Sequence, residues 1–136
     1  LLLSFDRTLD LPGGPYTDQD LVRWNGTTFS LALDGDAFGI PEAVGIDAAH
    51  HLLSGDLLLS FDTAGSVGGV AFADEDVLEL RRIPASWELV YDSATLLRAW
   101  ARANLEALSA TQRPDTPLFE DGFESGNTTA WSSIFP

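Results

Sequence analysis

The chain opens on an alternating segment, Leu1-Leu2-Leu3-Ser4-Phe5-Asp6. Leu1, Leu3 and Phe5 fall on one side and Leu2, Ser4 and Asp6 on the other, the period of two that marks a half-buried strand. The same six residues return unchanged at 57–62. Each copy is followed by eleven residues rich in glycine, at 7–17 and 63–73, and then by a short apolar run at 21–24 or 77–80. A further alternating strand is predicted at 29–34 and again at 87–92. Asn25-Gly26, a strong hairpin signal, joins the last two strands of the first copy. In the second copy the six residues 81–86 predict a longer loop, which accounts for the period of 56 becoming 58.

One more strand is predicted at 49–53, turned back by Ser54-Gly55-Asp56 onto the second LLLSFD. A whole unit is therefore four antiparallel strands, and the first copy lacks its first strand. A period of this size means one supersecondary unit used twice. The fold class expected is mainly β: two pseudo-repeats of four antiparallel strands, sandwich or propeller-blade-like, with one short helix and an extended C-terminal tail. The β-repeat domain spans 1–110, with units at about 1–46 and 47–104, followed by a linker at 111–117 and the tail at 118–136. The helix is expected over about 94–105, with Ser93 as cap and Leu96, Leu97, Trp100 and Ala103 at helical spacing. Residues 108–111 are the candidate for a displaced copy of the missing strand.

An apolar strand whose neighbour is missing presents unpaired backbone groups, which favour pairing with the chain's own end or with another subunit. Leu1, Leu3 and Phe5 on that strand, with Leu118, Phe119, Phe123, Trp131 and Phe135 in the tail, are the candidate assembly residues. The expected partner is another copy, giving a homo-oligomer or filament.

Composition sharpens this picture. Twenty-one acids face seven bases, all arginine, for a net charge of −14. Such a surface repels phosphate backbones and anionic headgroups, so nucleic acid and membrane surfaces are poor partners. No apolar run is long enough to be a transmembrane segment. The chain has no Met, even at position 1, which predicts a processed mature protein or a piece of a longer one. It also has no Cys, which excludes disulfides and thiolate chemistry.

The acids recur with the repeat. Asp6, Asp18 and Asp20 in the first unit and Asp62, Asp74 and Asp76 in the second place three carboxylates per unit toward one sheet end, a pattern that suits Ca²⁺. Aspartate equally caps turns and solvates loop ends. Asp34-Gly35-Asp36 is a fragment of a cation loop without the downstream Gly and Glu of an EF-hand. His50 and His51 are adjacent on a strand, point to opposite faces and cannot chelate one ion well. No nucleophile with an activating base is recognisable, so no enzyme is expected, and catalytic residues are none. Trp24, Phe29, Trp87 and Tyr91 are expected in the core.

The tail carries a resemblance. Asp121-Gly122-Phe123-Glu124-Ser125-Gly126, with Trp131 behind it, resembles the DGFESGxTxAW-type terminus found on many secreted proteins of Gram-negative bacteria. The body is similar to uncharacterised β-repeat proteins of the same kind of secretome. The likeness of the tail covers about 16 residues, and proteins that carry it are usually longer. It implies secretion to the extracellular space or cell surface. The function expected is a non-enzymatic extracellular structural protein, a subunit or module of a surface filament, adhesin or matrix that self-associates by strand complementation. The alternatives are a Ca²⁺-dependent ligand- or glycan-binding module and a secreted hydrolase.

Overall fold

The computed structural model describes residues 1–96, 105 and 107–110. The fold is mainly β, as expected, and the repeat is visible in the strand ladders. In the second unit, β6 (Ile46–His51), β7 (Leu57–Phe61), β10 (Val77–Arg82) and β11 (Ala85–Tyr91) form a four-stranded antiparallel sheet in the order β11-β10-β7-β6. The first unit forms a three-stranded sheet in the order β1-β4-β5, from β1 (Leu2–Leu3), β4 (Leu21–Trp24) and β5 (Phe29–Leu33).

The registers coincide. Leu2 faces Arg23 and Leu3 faces Val22, just as Leu58 faces Glu79 and Leu59 faces Leu78, each pair displaced by 56 positions. Trp24 faces Phe29 as Leu80 faces Trp87. Even the irregularity is shared, since the ladder shifts between Leu21 and Val22 and again between Val77 and Leu78. The LLLSFD repeat therefore marks two copies of one three-strand meander, and the second copy carries β6 in addition.

Three expectations are corrected. The eleven-residue glycine-rich stretches are not plain loops. Each contains a small hairpin, β2 (Leu9–Leu11) with β3 (Gly14–Tyr16), and β8 (Gly65–Val67) with β9 (Val70–Phe72). Pro12-Gly13 closes the first, with proline at the position where a φ near −65° is wanted and glycine at φ +116. Gly68 and Gly69, both at positive φ, close the second, which matches the right-handed twist of its arms. Residues 81–86 are likewise not a long loop, because β10 and β11 run on to Arg82 and Ala85 and only Ile83-Pro84 lies between them. Finally β6 begins at Ile46 rather than at 49, and alternates Ile46 and Ala48 inward.

One apolar core serves both units. Leu21 and Leu33 from the first sheet, Ile40 and Val44 from the connection, and Ile46, Leu57, Leu59, Phe61, Val67, Phe72, Leu78 and Leu80 from the second unit form a single buried cluster. Phe61 is fully buried, with Phe72 at 4.6 Å and Trp87 at 6.2 Å between ring centroids. Trp24 and Phe29 stack across the first sheet at 4.4 Å. Trp24, Phe29, Trp87 and Tyr91 are all half-buried rather than enclosed. A helix starts at Ser93–Leu96 (α1). Asp92 caps it through Oδ1, which accepts the Thr95 N–H, so Ser93 is not the cap. Asp34 does the same for Ala37 in the 3-10 turn Asp36–Phe38. The rest of the expected helix, the linker and the tail lie outside the described residues.

Candidate functional site

Identical residues in the two units meet different surroundings, and the difference locates the site. Leu57, Leu59, Ser60 and Phe61 are at most 2% exposed. Their counterparts are open: Leu1 is 78% exposed, and Leu3, Ser4 and Phe5 are half-buried. Sequence and register are the same, so the neighbourhood makes the difference. In the second unit β6 lies along β7, with Ala49 facing Leu59 and His51 facing Leu57. Among the described strands β1 pairs only with β4.

The seat beside β1 is a groove of about 260 Å³ lined by Leu2, Leu3 and Ser4 on one side and Asp47, Ala48 and Ala49 of β6 on the other. A second hollow of about 300 Å³, which shares Leu2 with the first, is lined by Leu1, Arg23, Trp24, Asn25 and His51. Edge strands β1 and β6 thus both line the groove. Leu1 exchanges both backbone hydrogen bonds with Trp24, each 2.9 Å. Because hydrogen-bonded and non-hydrogen-bonded positions alternate along an antiparallel ladder, Leu2 turns its N–H and carbonyl away from β4. That is the geometry of a sheet edge ready to accept a strand.

Ala107 and Leu108 line the same groove, and the Leu105 carbonyl accepts a hydrogen bond from the buried Ser60 hydroxyl at 3.0 Å. Residues 107–110 nevertheless form no strand, so the displaced first strand expected at 108–111 is absent as far as Ala110, and Thr111 lies outside the described residues.

The recurring aspartates are held apart by their separate duties. Asp20 accepts the Thr17 N–H at 2.8 Å and the Gly35 N–H at 3.1 Å. Asp76 accepts the Ala73 N–H at 2.9 Å and the Ser93 N–H at 3.1 Å. Both carboxylates are buried and clamp the entry of the third strand of the unit to the exit of the fourth. Asp62 accepts the Gly45 N–H at 2.9 Å, while the Asp18 carbonyl accepts the Ile46 N–H at 2.9 Å, so the two residues flank the start of β6. A side chain at Gly45 would meet Asp62 Oδ2 at 2.9 Å. Asp6 is exposed and pairs with Arg7, whose guanidinium lowers its pKa. Asp74 neighbours Glu75.

The structure thus brings Asp18 and Asp62 together but does not gather the three carboxylates of either unit. Among the described residues no three His, Asp or Glu stand grouped to hold a metal ion. His50 is half-buried and His51 exposed. Of the expected assembly residues, Leu1, Leu3 and Phe5 lie on or beside the open strand, and Leu118, Phe119, Phe123, Trp131 and Phe135 lie outside the described residues. Sequence reading passed over Gln19 and Glu75, two buried polar residues whose signal was their shared place between the repeating aspartates. No helix among the described residues is long and apolar enough to cross a membrane. No family model, curated protein or solved structure matches the chain.

Proposed function

We propose that the protein is a non-enzymatic assembly module of an extracellular filament, adhesin or matrix, and that a strand from a neighbouring copy completes its first sheet. The observation that carries this is the contrast between Leu1, Leu3, Ser4 and Phe5, left open, and Leu57, Leu59, Ser60 and Phe61, enclosed beside β6. The second unit is a template for the filled seat. By its register an incoming strand of β6 type sets a small residue against Leu3 and Ser4, as Ala49 and Ala48 do against Leu59 and Ser60. Residues 1–5 carry no charged side chain, which matters in a chain of charge −14. Copies repel one another at long range, and an edge segment without side-chain charge is where contact costs least. Assembly then strengthens with salt, because screening removes the long-range repulsion.

Ser4→Asp tests the reading. In the open seat the new carboxylate stays in water. In a filled seat it occupies the place of Ser60, which is fully enclosed, where an unpaired charge costs several kcal/mol. Sedimentation of the parent chain across a concentration series is expected to show growing assemblies. Ser4→Asp is expected to stay monomeric with an unchanged circular dichroism spectrum. Equal assembly by both forms would contradict the proposal.

The position of Ala107 and Leu108 on the same groove favours a second reading, closure of the seat by the chain's own C-terminal segment. In that case the parent chain stays monomeric at every concentration and Ser4→Asp lowers its melting temperature.

A further inference from the structure

The two units place different residues in one buried seat. Gln19, between Asp18 and Asp20, donates from Nε2 to the Ile40 carbonyl at 2.7 Å, which fastens the turn that follows β5. Glu75, 56 positions on between Asp74 and Asp76, fills the corresponding seat and is 5% exposed. Its clamp neighbours correspond as well: Asp20 holds Gly35, and Asp76 holds Ser93, where the chain leaves β11 for α1. The chemistry does not match. An amide supplies a donor, whereas an ionised carboxylate can only accept. Glu75 Oε2 is buried without a hydrogen-bond partner, and so is the Ser93 hydroxyl.

We propose that Glu75 is a protonation-dependent latch. As the neutral acid it is an isostere of Gln19 and donates to the Ser93 hydroxyl at the start of α1, and as the carboxylate it is a buried charge beside Asp74 and Asp76 that weakens that junction.

Among the described residues the balance of the surroundings favours the neutral form. Burial raises the Glu75 pKa above its ordinary value of 4.5, and the adjacent Asp74 carboxylate raises it further. Asp76 is one residue on, with both its oxygens taken by the Ala73 and Ser93 amides. From α1 the side chain that faces it is the Ser93 hydroxyl, which works weakly in the opposite direction. The ion pairs among described residues join Arg7 to Asp6 and Arg81 to Glu79 and Glu88, so none of them neutralises Glu75. A pKa raised by folding means that the native state binds the proton more tightly than the unfolded chain. The stabilisation is therefore complete below pH 4.5 and is lost as the pH rises through the elevated value, so the junction at Ser93 is looser above that pH than in mild acid.

Two substitutions in the full chain test this, read by thermal unfolding and by amide exchange at Ala73 and Ser93. Glu75→Gln makes the donor permanent. It is expected to melt with the parent at pH 4 and several degrees above it at pH 7.5, with slower exchange at Ser93. Gln19→Glu installs the same latch in the first unit, and is expected to match the parent at pH 4 and melt below it at pH 7.5. A Glu75→Gln protein that melts at or below the parent at pH 7.5 would overturn the proposal. So would a Gln19→Glu loss of equal size at both pH values, which would mark a packing defect rather than titration.

Discussion

Phe61→Ala is expected to destabilise the protein by about 3–5 kcal/mol, the cost of removing a fully enclosed aromatic ring and leaving its cavity behind. Phe61 belongs to the shared core: its ring packs on Phe72 of the second hairpin and lies near Trp87 of β11. Trp87 in turn donates from Nε1 to the Phe38 carbonyl at 3.1 Å, which ties the core to the connection between the sheets. A loss of that size is a large part of the 5–15 kcal/mol that holds an ordinary domain folded. Chemical denaturation of the parent and the variant measures it. The identical residue Phe5 supplies the internal control. Because it is half-buried, Phe5→Ala is expected to cost well under half as much.

The second large effect is at the aspartate clamps. Asp76→Ala strands the Ala73 and Ser93 amides, and each abandoned buried group costs roughly 1–3 kcal/mol. Asp76→Asn is expected to recover little of this. Both carboxylate oxygens accept from backbone N–H groups, so an amide in their place turns its own NH₂ toward a donor. Asp20→Ala and Asp20→Asn repeat the experiment in the first unit and are expected to give the same pair of values. Equality between the Ala and Asn variants at each site distinguishes a two-acceptor clamp from a mere polar filler. Thermal or urea unfolding of the four variants provides the comparison.

These clamps show where sequence reading succeeds and where it stops. Two identical hexapeptides with matched alternation sufficed to predict the repeated antiparallel meander, because side-chain alternation and the repeat period are properties of the sequence itself. The small hairpins escaped notice because their arms are three residues long and contain Gly14, Pro15 and Gly65, so no alternation could develop; Gly68-Gly69 was the available signal. The early start of β6 was hidden by its Asp and Ala residues, which have little intrinsic preference for strands.

The aspartates are the clearest case. Their repetition suggested converging cation ligands, but a carboxylate flanked by turn amides satisfies its neighbours first. Asp20 and Asp76 face inward onto backbone donors, Asp34 and Asp92 cap the turns that follow, and Asp6 remains in solvent. Which of these duties an aspartate performs depends on the three-dimensional course of the loop, and the spacing of acids along the chain does not encode it. The difference between Gln19 and Glu75 was legible as a substitution, but its meaning required knowing that both are buried.

Hydrogen exchange at the Leu2 amide, followed by NMR across a range of protein concentrations, tests the account most directly. This N–H points into the seat beside β1 and has no partner within the first sheet. If a neighbouring copy donates the fourth strand, exchange at Leu2 is fast in dilute solution and slows as concentration rises, and slows further with added salt. Exchange that stays the same at every concentration, whether fast or slow, would contradict it.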